Sequence, residues 1–454
     1  MKKNLLKKQI LFLIIFVCSG CLSSHEVMYY TANTEIPGTG IEMKTPGYWV
    51  SQIDEPDSII MDANQIALFN NDTEKAGVFM SNIFDNDNSG DLINLKRTLD
   101  NSIQFIRSTK LYHTNGKKIE KSFSDEIEIL SNSINMKYNV EYCFFINNSD
   151  LRIIPYQEQL TDVKKELFFD AIQASRINIG TPGVVVHYSN DAEWVFVKTH
   201  NVSAWTKKSN IAICSEDELK QILSKDFVVV TDGKTDMYAD SNCLRYINYT
   251  RMGSIFYLHN DKVNSKSVKI MVPFADENGR LVMRDGYINT MSVNKGFIDY
   301  TQRNSINQAF KLLNSPYGWG GMFGEQDCSQ YFCEIFACFG IFLPRNSSSQ
   351  SLVGTVNPAM KKELSDEDKF LLIKNEAIPG ITFLRRPGHI VLYLGSINKD
   401  IFVIHAVWGY KENIQSKDVL RVINRVVVSN LRIGHDSKKG SLLQLINRMN
   451  SVNR

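Results

Sequence analysis

The sequence predicts an α+β protein with a helical N-terminal region, two small β-barrels and a C-terminal domain in which helices precede an antiparallel sheet. Residues 92–106 carry apolar side chains near the three-to-four spacing of a helix. Between about 170 and 296 the chain changes to short β-rich runs separated by turns, which is typical of small barrels. After residue 301 a helical segment and a glycine-rich loop precede two further β-rich runs, at 389–395 and 401–405. A chain segment in which helices come first and a sheet follows is typical of the α+β fold class.

The boundaries follow where the pattern changes. The helical region covers 28–150, where a second apolar stripe lies at 58–71. The first barrel is predicted within 151–226, from β-rich runs on either side of a polar turn at 189–192. The second barrel is predicted within 227–296, and the C-terminal domain within 297–454.

Length and charge limit the class of protein. The chain has 454 residues, enough for about three domains. Lys and Arg number 51 against 49 Asp and Glu, so the formal net charge is only +2. A nucleic-acid-binding protein usually presents a clear excess of basic residues. We therefore expect no nucleic-acid partner.

The N-terminus has the pattern of an export signal. Lysines near the start precede an apolar run at 10–17, which is too short to span a bilayer and is followed by small residues. Gly20 directly before Cys21 resembles the lipobox of bacterial lipoproteins, with Cys18 where Leu is usual. This resemblance implies a signal over 1–21, a lipid anchor at Cys21 and a place in the cell envelope, on the membrane and facing the periplasm. Cleavage near Ser24 without lipidation, or an uncleaved anchor, are the alternatives.

The cysteines after the signal do not form an evident disulfide or metal pattern. Cys328, Cys333 and Cys338 recur every five residues in one apolar stretch. On a helix such neighbours lie about 140° apart and cannot bond to one another. There is no CxxC motif and no zinc-like Cys/His spacing. We expect at least one free thiol, and neither a metal nor a cofactor.

One cysteine is placed for nucleophilic chemistry. Cys328 begins a predicted helix after a glycine-rich loop, where unpaired N–H groups and the helix dipole stabilise a thiolate. His389 and His405 each end an apolar strand, and alternation puts His389 on one face with Val391 and Tyr393. If the strands pair, one imidazole can act as base and the other can orient it. A small buried cysteine and two structural histidines would give the same pattern.

Separated blocks of sequence resemble the NlpC-type cell-wall peptidases, which are papain-like cysteine enzymes. The blocks are Tyr-Gly-Trp-Gly-Gly at 317–321, Asp-Cys-Ser at 327–329, Leu-Pro-Arg-Asn-Ser at 343–347 with Gln350, Pro-Gly-His-Ile-Val-Leu-Tyr-Leu-Gly at 387–395 and Val-Ile-His at 403–405. The resemblance implies Cys328 as nucleophile, His389 as base and His405 as the residue that orients it. Gln330 departs from the pattern, because many relatives carry Gly there.

The resemblance extends upstream. Residues 180–213, with Trp194 and Trp205 as expected core residues, resemble a bacterial SH3-like domain, and 227–296 resemble a second. Residues 48–70 resemble the helical region that precedes such domains in one subgroup. That subgroup cuts peptidoglycan stem peptides between γ-D-glutamate and the diamino acid, so stem peptides or muropeptides are the implied partners.

The same resemblance implies several substrate contacts. Asp327 and Ser329 would meet the free ammonium of an N-terminal L-alanine, although Val202 stands where relatives carry an aromatic residue. Tyr317 would hold the substrate or help stabilise the oxyanion, or else be a packed side chain without a catalytic role, and Ser347 would line the cleft. Arg345 would also line it, or else tie down its own loop.

Two rival functions remain open from the sequence. The chain could be a non-catalytic wall-binding lipoprotein. It could also use the same three residues on another amide, such as the N-acetylmuramoyl–L-alanine bond or a protein glutamine.

Overall fold

The structure is a computed structural model that describes residues 29–31, 36–76, 82–85, 88–131, 140–259 and 266–454. The predicted signal, 1–21, and the predicted anchor at Cys21 lie outside these residues. Within the described ranges, no helix is both long and apolar enough to cross a membrane. The elements confirm the α+β class, with helices and sheets in the predicted order.

The N-terminal region is mainly helical. Its elements are β1 (Tyr29–Thr31), α1 (Pro46–Val50), β2 (Ile59–Met61), α2 (Ala63–Lys75), α3 (Asn88–Ser108), β3 (Tyr112–His113) and α4 (Lys121–Ser131). Helix α3 confirms the helix predicted at 92–106. The helix predicted at 58–71 begins later, because Asp62 and Gln65 form a capping box at the start of α2. Residues 59–61 instead pair with the strand at 300–301.

The first β unit is a seven-stranded sheet with a short helix, and it also includes the strand Leu160–Thr161, which pairs with β3 and not with that sheet. It contains β4 (Glu141–Phe145), β5 (Ser149–Arg152), β6 (Leu160–Thr161), β7 (Gln173–Ile177), β8 (Pro182–Tyr188), β9 (Trp194–Lys198), β10 (Ser203–Lys207), β11 (Ile211–Cys214) and α5 (Glu216–Leu223). The strand order is β11-β4-β8-β9-β10-β5-β7, so the sheet begins before residue 151. Trp194 and Trp205 are buried in its core, as expected.

The second β unit consists of two small sheets around a shared core. Its strands are β12 (Phe227–Val230), β13 (Lys234–Tyr238), β14 (Tyr246–Arg251), β15 (Ile255–Tyr257), β16 (Ser267–Ala275), β17 (Leu281–Asn289) and β18 (Val293–Lys295). The strand orders are β15-β12-β18 and β14-β13-β17-β16. Val228 from one sheet and Ile270 from the other belong to the same buried cluster.

The C-terminal domain has helices that precede a largely antiparallel sheet. Its elements are β19 (Tyr300–Thr301), α6 (Gln302–Lys311), α7 (Cys328–Ala337), α8 (Ser347–Gln350), β20 (Thr355–Val356), α9 (Asp366–Glu376), β21 (Thr382–Arg386), β22 (His389–Ile397), β23 (Asp400–Ile414), β24 (Lys417–Asn430), α10 (Leu442–Leu445) and β25 (Arg448–Ser451). The order β1-β24-β23-β22-β21-β25-β20 puts β22 and β23 near the middle.

The two faces of this sheet pack against different helices. Ile390 and Leu392 share a buried cluster with Phe332 of α7. Val391 and Tyr393 belong to the cluster on the other face. This is the alternation that the sequence predicted for β22, and it places α7 against the strand that begins at His389.

Candidate active site

A tight glycine loop delivers Cys328 to the start of α7. Gly320 and Gly321 have φ values of 58° and 85°, the left-handed region that glycine adopts without strain. A Cβ on Gly320 would lie 2.7 Å from the side chain of Gln173 on β7. The loop therefore needs glycine both for its turn and for its close approach to the first β unit.

Cys328 lies at the first turn of α7 and is only 8% exposed. The backbone N–H of Ile390, the residue directly after His389, is close enough to the sulfur to favour the thiolate and lower its pKa. Cys328 therefore lies beside the strand residue that follows His389, although the two positions are far apart in sequence. Burial, followed by the neighbouring Asp327 carboxylate, raises the pKa of Cys328 to about 12.

The two predicted histidines bond to each other across paired strands. His389 Nε2 and His405 Nδ1 are 2.7 Å apart, and His405 Nε2 is 2.9 Å from Ser429 Oγ. If each Nε2–H donates along this chain, Nδ1 of His389 is left with a free lone pair, as a base requires. The sequence did not single out Ser429, a buried residue on β24.

Both imidazoles are held neutral. Burial, followed by His405 and Arg386, lowers the pKa of His389 well below its ordinary value. Burial, followed by Arg386, lowers the pKa of His405 to about 3. A neutral His389 next to a protonated thiol can accept the proton of that thiol.

Asp327 organises the start of α7. Its Oδ1 accepts from the backbone N–H groups of Ser329 and Gln330 and from Ser329 Oγ, at 2.9–3.1 Å. Its Oδ2 accepts from Gly320 N at 3.1 Å and from Arg345 Nη2 at 2.7 Å. Burial raises the pKa of Asp327, but Arg345 outweighs it and the pKa ends below its ordinary value. The carboxylate is therefore ionised and already well supplied with donors.

Arg345 ties its loop to two other parts of the molecule. In addition to Asp327, it donates through Nε to Ser175 Oγ on β7 at 2.7 Å and through Nη1 to Ser329 Oγ at 3.0 Å. These contacts match the alternative in which Arg345 holds its loop. Ser347 begins α8, and Gln350 on that helix donates to the Ser329 carbonyl at 2.9 Å, so α8 lies beside α7.

Tyr317 lies beside the nucleophile. Burial, followed by Cys328 and Asp327, raises the pKa of its hydroxyl, which therefore stays protonated at neutral pH and can donate. Its ring centroid is 6.4 Å from that of Trp408. Val202 packs against the core of the first β unit, and its neighbour Asn201 donates to the Leu343 carbonyl at 3.2 Å.

Aromatic residues that the sequence did not single out join the first β unit to the rim of the site. The ring of Phe168 is 4.8 Å from that of Trp408, and Phe169 is 5.3 Å from Trp408 and 5.5 Å from Trp319. Trp319 also donates through Nε1 to the Asp170 carbonyl at 3.0 Å. The loop that carries these phenylalanines therefore forms one wall next to Tyr317 and Cys328.

The sequence also led to expectations about free thiols and about metal binding. All six cysteines in the described ranges are free thiols, in agreement with the expectation of at least one. In the same ranges, no group of three or more Cys, His, Asp or Glu side chains is arranged to hold a metal ion.

Two family models match parts of this chain. Residues 314–422 match the NlpC/P60 family, and residues 162–207 match the SH3 domain of the SH3b1 type. The first match contains Cys328, His389 and His405, and the second contains Trp194 and Trp205. No curated protein matches the chain.

Solved structures of similar fold include two bacterial proteins. An NlpC/P60 endopeptidase from Photobacterium damselae subsp. piscicida has a TM-score of 0.74 at 21% identity, over 89% of this chain and 96% of that one. An NlpC/P60 family protein from Bacillus cereus has a TM-score of 0.47 at 15% identity, over 69% of this chain and 100% of that one. The first likeness extends over nearly the whole chain and supports the fold described above.

Proposed function

We propose that this chain, whose residues 314–422 match the NlpC/P60 family and whose residues 162–207 match an SH3 domain of the SH3b1 type, is a peptidase that hydrolyses peptidoglycan stem peptides at the bond between γ-D-glutamate and the diamino acid. What supports the proposal is that α7, which begins at Cys328, packs against β22, where His389 is bonded to His405 of β23. This is the set of groups that acyl transfer to a thiol needs.

The proposed reaction has two halves. His389 Nδ1 takes the proton of Cys328, and the sulfur forms a bond to the γ-carbonyl carbon. His389 then gives that proton to the leaving amine as the C–N bond breaks, which leaves a thioester on Cys328. A water molecule attacks the thioester carbonyl carbon while His389 takes its proton. The C–S bond then breaks, the γ-carboxyl product leaves, and return of that proton to the sulfur restores the thiol. His405, held by Ser429, keeps the imidazole of His389 oriented throughout.

Charge that develops on the carbonyl oxygen has donors close by. The backbone N–H of Cys328 is one of the unpaired donors at the start of α7, and the protonated hydroxyl of Tyr317 lies near the sulfur. On the acyl side we assign Ser329, Asp327 and Ser347 to the D-glutamyl and L-alanyl part of the substrate. Arg345 pairs with the Asp327 carboxylate and also donates to Ser329 Oγ, so both groups already have one cationic partner before substrate binds.

Cleavage of defined substrates tests this proposal. Wild-type protein is incubated with the tripeptide L-alanyl-γ-D-glutamyl-diamino acid and with whole sacculi, and the products are identified by mass. We expect release of the free diamino acid from the tripeptide, and at least about a thousandfold loss of the rate in Cys328→Ala. Cys338→Ala, which removes another buried thiol near the end of the same helix, should keep the rate.

Each other outcome points to a different function. Unchanged cleavage by Cys328→Ala would rule out the proposed nucleophile. Binding of sacculi without cleavage by the wild type would favour a wall-binding protein. Release of peptides with an intact N-terminal L-alanine from sacculi would favour an N-acetylmuramoyl–L-alanine amidase.

We further propose that the protein works in the cell envelope, exported and anchored at Cys21 on the periplasmic side of a membrane. The basic start, the short apolar run and Gly20 before Cys21 support this location. Growth with a labelled fatty acid should label the wild type and not Cys21→Ser. Equal labelling of both proteins, or of neither, would contradict the anchor.

A further inference from the structure

Two arginines lie directly opposite each other on neighbouring strands of the C-terminal sheet. Arg385, near the end of β21, pairs in the antiparallel register with Arg448, the first residue of β25. Side chains at paired positions leave the same face of a sheet, with their Cβ atoms about 5 Å apart. Like charges at this separation repel each other and destabilise the pairing. An anion bound between the two guanidinium groups would remove this repulsion.

The arginine pair lies on the face of the sheet that packs against α7. Phe383, two residues before Arg385 and therefore on the same face, contacts Phe336 of α7 with ring centroids 5.3 Å apart. Arg386, the next residue along β21, is on the other face and pairs in register with His389. The arginine pair and this histidine are therefore on opposite faces of the sheet.

The described residues supply no negative charge to the pair. Arg385 Nη1 donates to Asn447 Oδ1 and Arg448 Nη1 donates to Ser351 Oγ, each at 3.3 Å, and both acceptors are neutral. No Asp or Glu of the described ranges is among the groups that act on Arg385, whose pKa is lowered by burial and then by Arg448. Arg385 Nε is enclosed without a hydrogen-bond partner. Because each guanidinium has five N–H donors, most donors of the pair are left unused by these residues.

Deeply buried arginines elsewhere in the chain are treated differently. Arg152, Arg251 and Arg345 are each less than 9% exposed, and each has a carboxylate oxygen of the protein within 2.8 Å. Arg385 and Arg448 are only half-buried, so part of each side chain stays within reach of solvent. The missing anion can therefore come from solution.

The charge and the number of donors in the pair indicate which anion fits. Two guanidinium groups carry two positive charges, and one carboxylate would neutralise only one of them. A phosphoryl group carries about −1.5 to −2 charges near pH 7 and offers three strong acceptor oxygens. Arginine binds such a group through two parallel N–H bonds, so two arginines engage it from two sides.

We propose that Arg385 and Arg448 form a binding site for a phosphoryl group, with Ser351 and Asn447 as its neutral neighbours. Free phosphate and phosphate esters present the same oxygens and are the two sources of such a group. The site uses none of the residues assigned to the peptidase reaction. Its existence does not depend on the proposed function.

Calorimetric titration of the full chain tests the site. Inorganic phosphate and glycerol 3-phosphate are titrated separately at constant ionic strength, and we expect both to bind the wild type. Arg385→Gln and Arg448→Gln should each bind them at least about tenfold more weakly, the effect of losing a charge-assisted hydrogen bond. Equal affinities would show that the phosphoryl group alone is recognised, whereas tighter binding of glycerol 3-phosphate would identify a phosphate ester as the ligand.

Arg284→Gln is the matched control. Arg284 lies over the ring of Phe274 in the second β unit, 4.8 Å from its centroid, so this variant removes one positive charge far along the chain from the site. It should keep the wild-type affinity. Thermal unfolding gives a second readout, because phosphate should raise the unfolding temperature of the wild type and of Arg284→Gln but not of the two site variants.

Three results would overturn the assignment. They are the absence of phosphate binding to the wild type, equal phosphate binding by the wild type and both site variants, and tighter binding of acetate than of phosphate. The wild-type comparison of phosphate with acetate needs no variant, so it decides the matter even if a substitution prevents folding. Loss of the site would leave the proposed cleavage of stem peptides untouched, and loss of cleavage would leave the site untouched.

Discussion

The protonation state of Cys328 is decided by two opposing influences on one sulfur. The start of α7 and the Ile390 N–H favour the thiolate, and this is the influence that the sequence predicted. Burial and the Asp327 carboxylate favour the thiol, and they prevail, because the pKa is raised. His389 is likewise held neutral. The resting pair is therefore a thiol and a neutral imidazole.

This resting state predicts how alkylation of Cys328 depends on pH. Only the thiolate reacts, and below its pKa the thiolate fraction rises about tenfold for each pH unit. The rate with iodoacetamide should therefore rise steeply and without a plateau from pH 7 to pH 9. Peptide mass spectrometry would separate Cys328 from Cys243, a more exposed thiol of the same chain. A rate that is constant from pH 6 to pH 9 would instead indicate a preformed thiolate–imidazolium pair.

At the level of elements, the histidine chain runs across three neighbouring strands. His389, His405 and Ser429 belong to β22, β23 and β24, which are consecutive in the sheet. Alternation and the apolar runs predicted that β22 and β23 could bring their histidines together if the two strands paired, and the two imidazoles are bonded to each other. His389 on β22 is oriented by His405 on β23, so the arrangement depends on the register between these two strands. A slip of one residue would turn one imidazole to the other face of the sheet.

Ser429 could not be predicted because its strand pairing has no clear sequence signal. The β23–β24 turn contains Gln415 and Ser416 with φ values of 50° and 64°, where Asn or Gly is usual. The register also shifts between Val407 and Gly409. Without a recognisable turn and with a bulge in between, the sequence does not show which residue of β24 lies next to His405.

The sequence also does not predict where an element begins when that position depends on a strand far away in the chain. Residues 59–61 continue an apolar stripe into α2, yet they form a strand because they pair with 300–301. Strand β4 lies in a region that reads as helical, and its partners β8 and β11 come much later in the chain. Local sequence patterns predict an element correctly where its own residues determine whether it is a helix or a strand. They fail where pairing with a strand remote in sequence determines it.

In the whole molecule, Arg251 joins the second β unit to the candidate active site. From the end of β14 it donates through Nε and Nη2 to the two carboxylate oxygens of Glu334 on α7, at 2.8 and 2.9 Å. Its Nη1 donates to the carbonyl of Gly324, in the glycine loop, at 2.7 Å. Both charged residues are at most 4% exposed. The order of the units along the chain was predictable from sequence patterns. The Arg251–Glu334 junction was not, because it joins residues 83 positions apart.

Removal of one partner from this buried pair should destabilise the molecule strongly. Arg251→Met leaves the Glu334 carboxylate buried without its cation, which typically costs about 3–5 kcal/mol. Arg251→Met with Glu334→Met removes both charges, so most of the loss should be recovered. Calorimetric thermal unfolding measures both effects, and the double variant should unfold at a clearly higher temperature than the single one.

A surface pair between the first and second β units supplies the control for this prediction. Arg280 lies 3.4 Å from Glu218, and both side chains are about half exposed. Water and salt screen such a pair, so Arg280→Met should leave the unfolding temperature nearly unchanged. If Arg251→Met were equally harmless, the Arg251 pair would not hold α7 in place. If the double variant unfolded as early as the single one, the cost would come from lost packing around α7 and not from a buried unpaired charge.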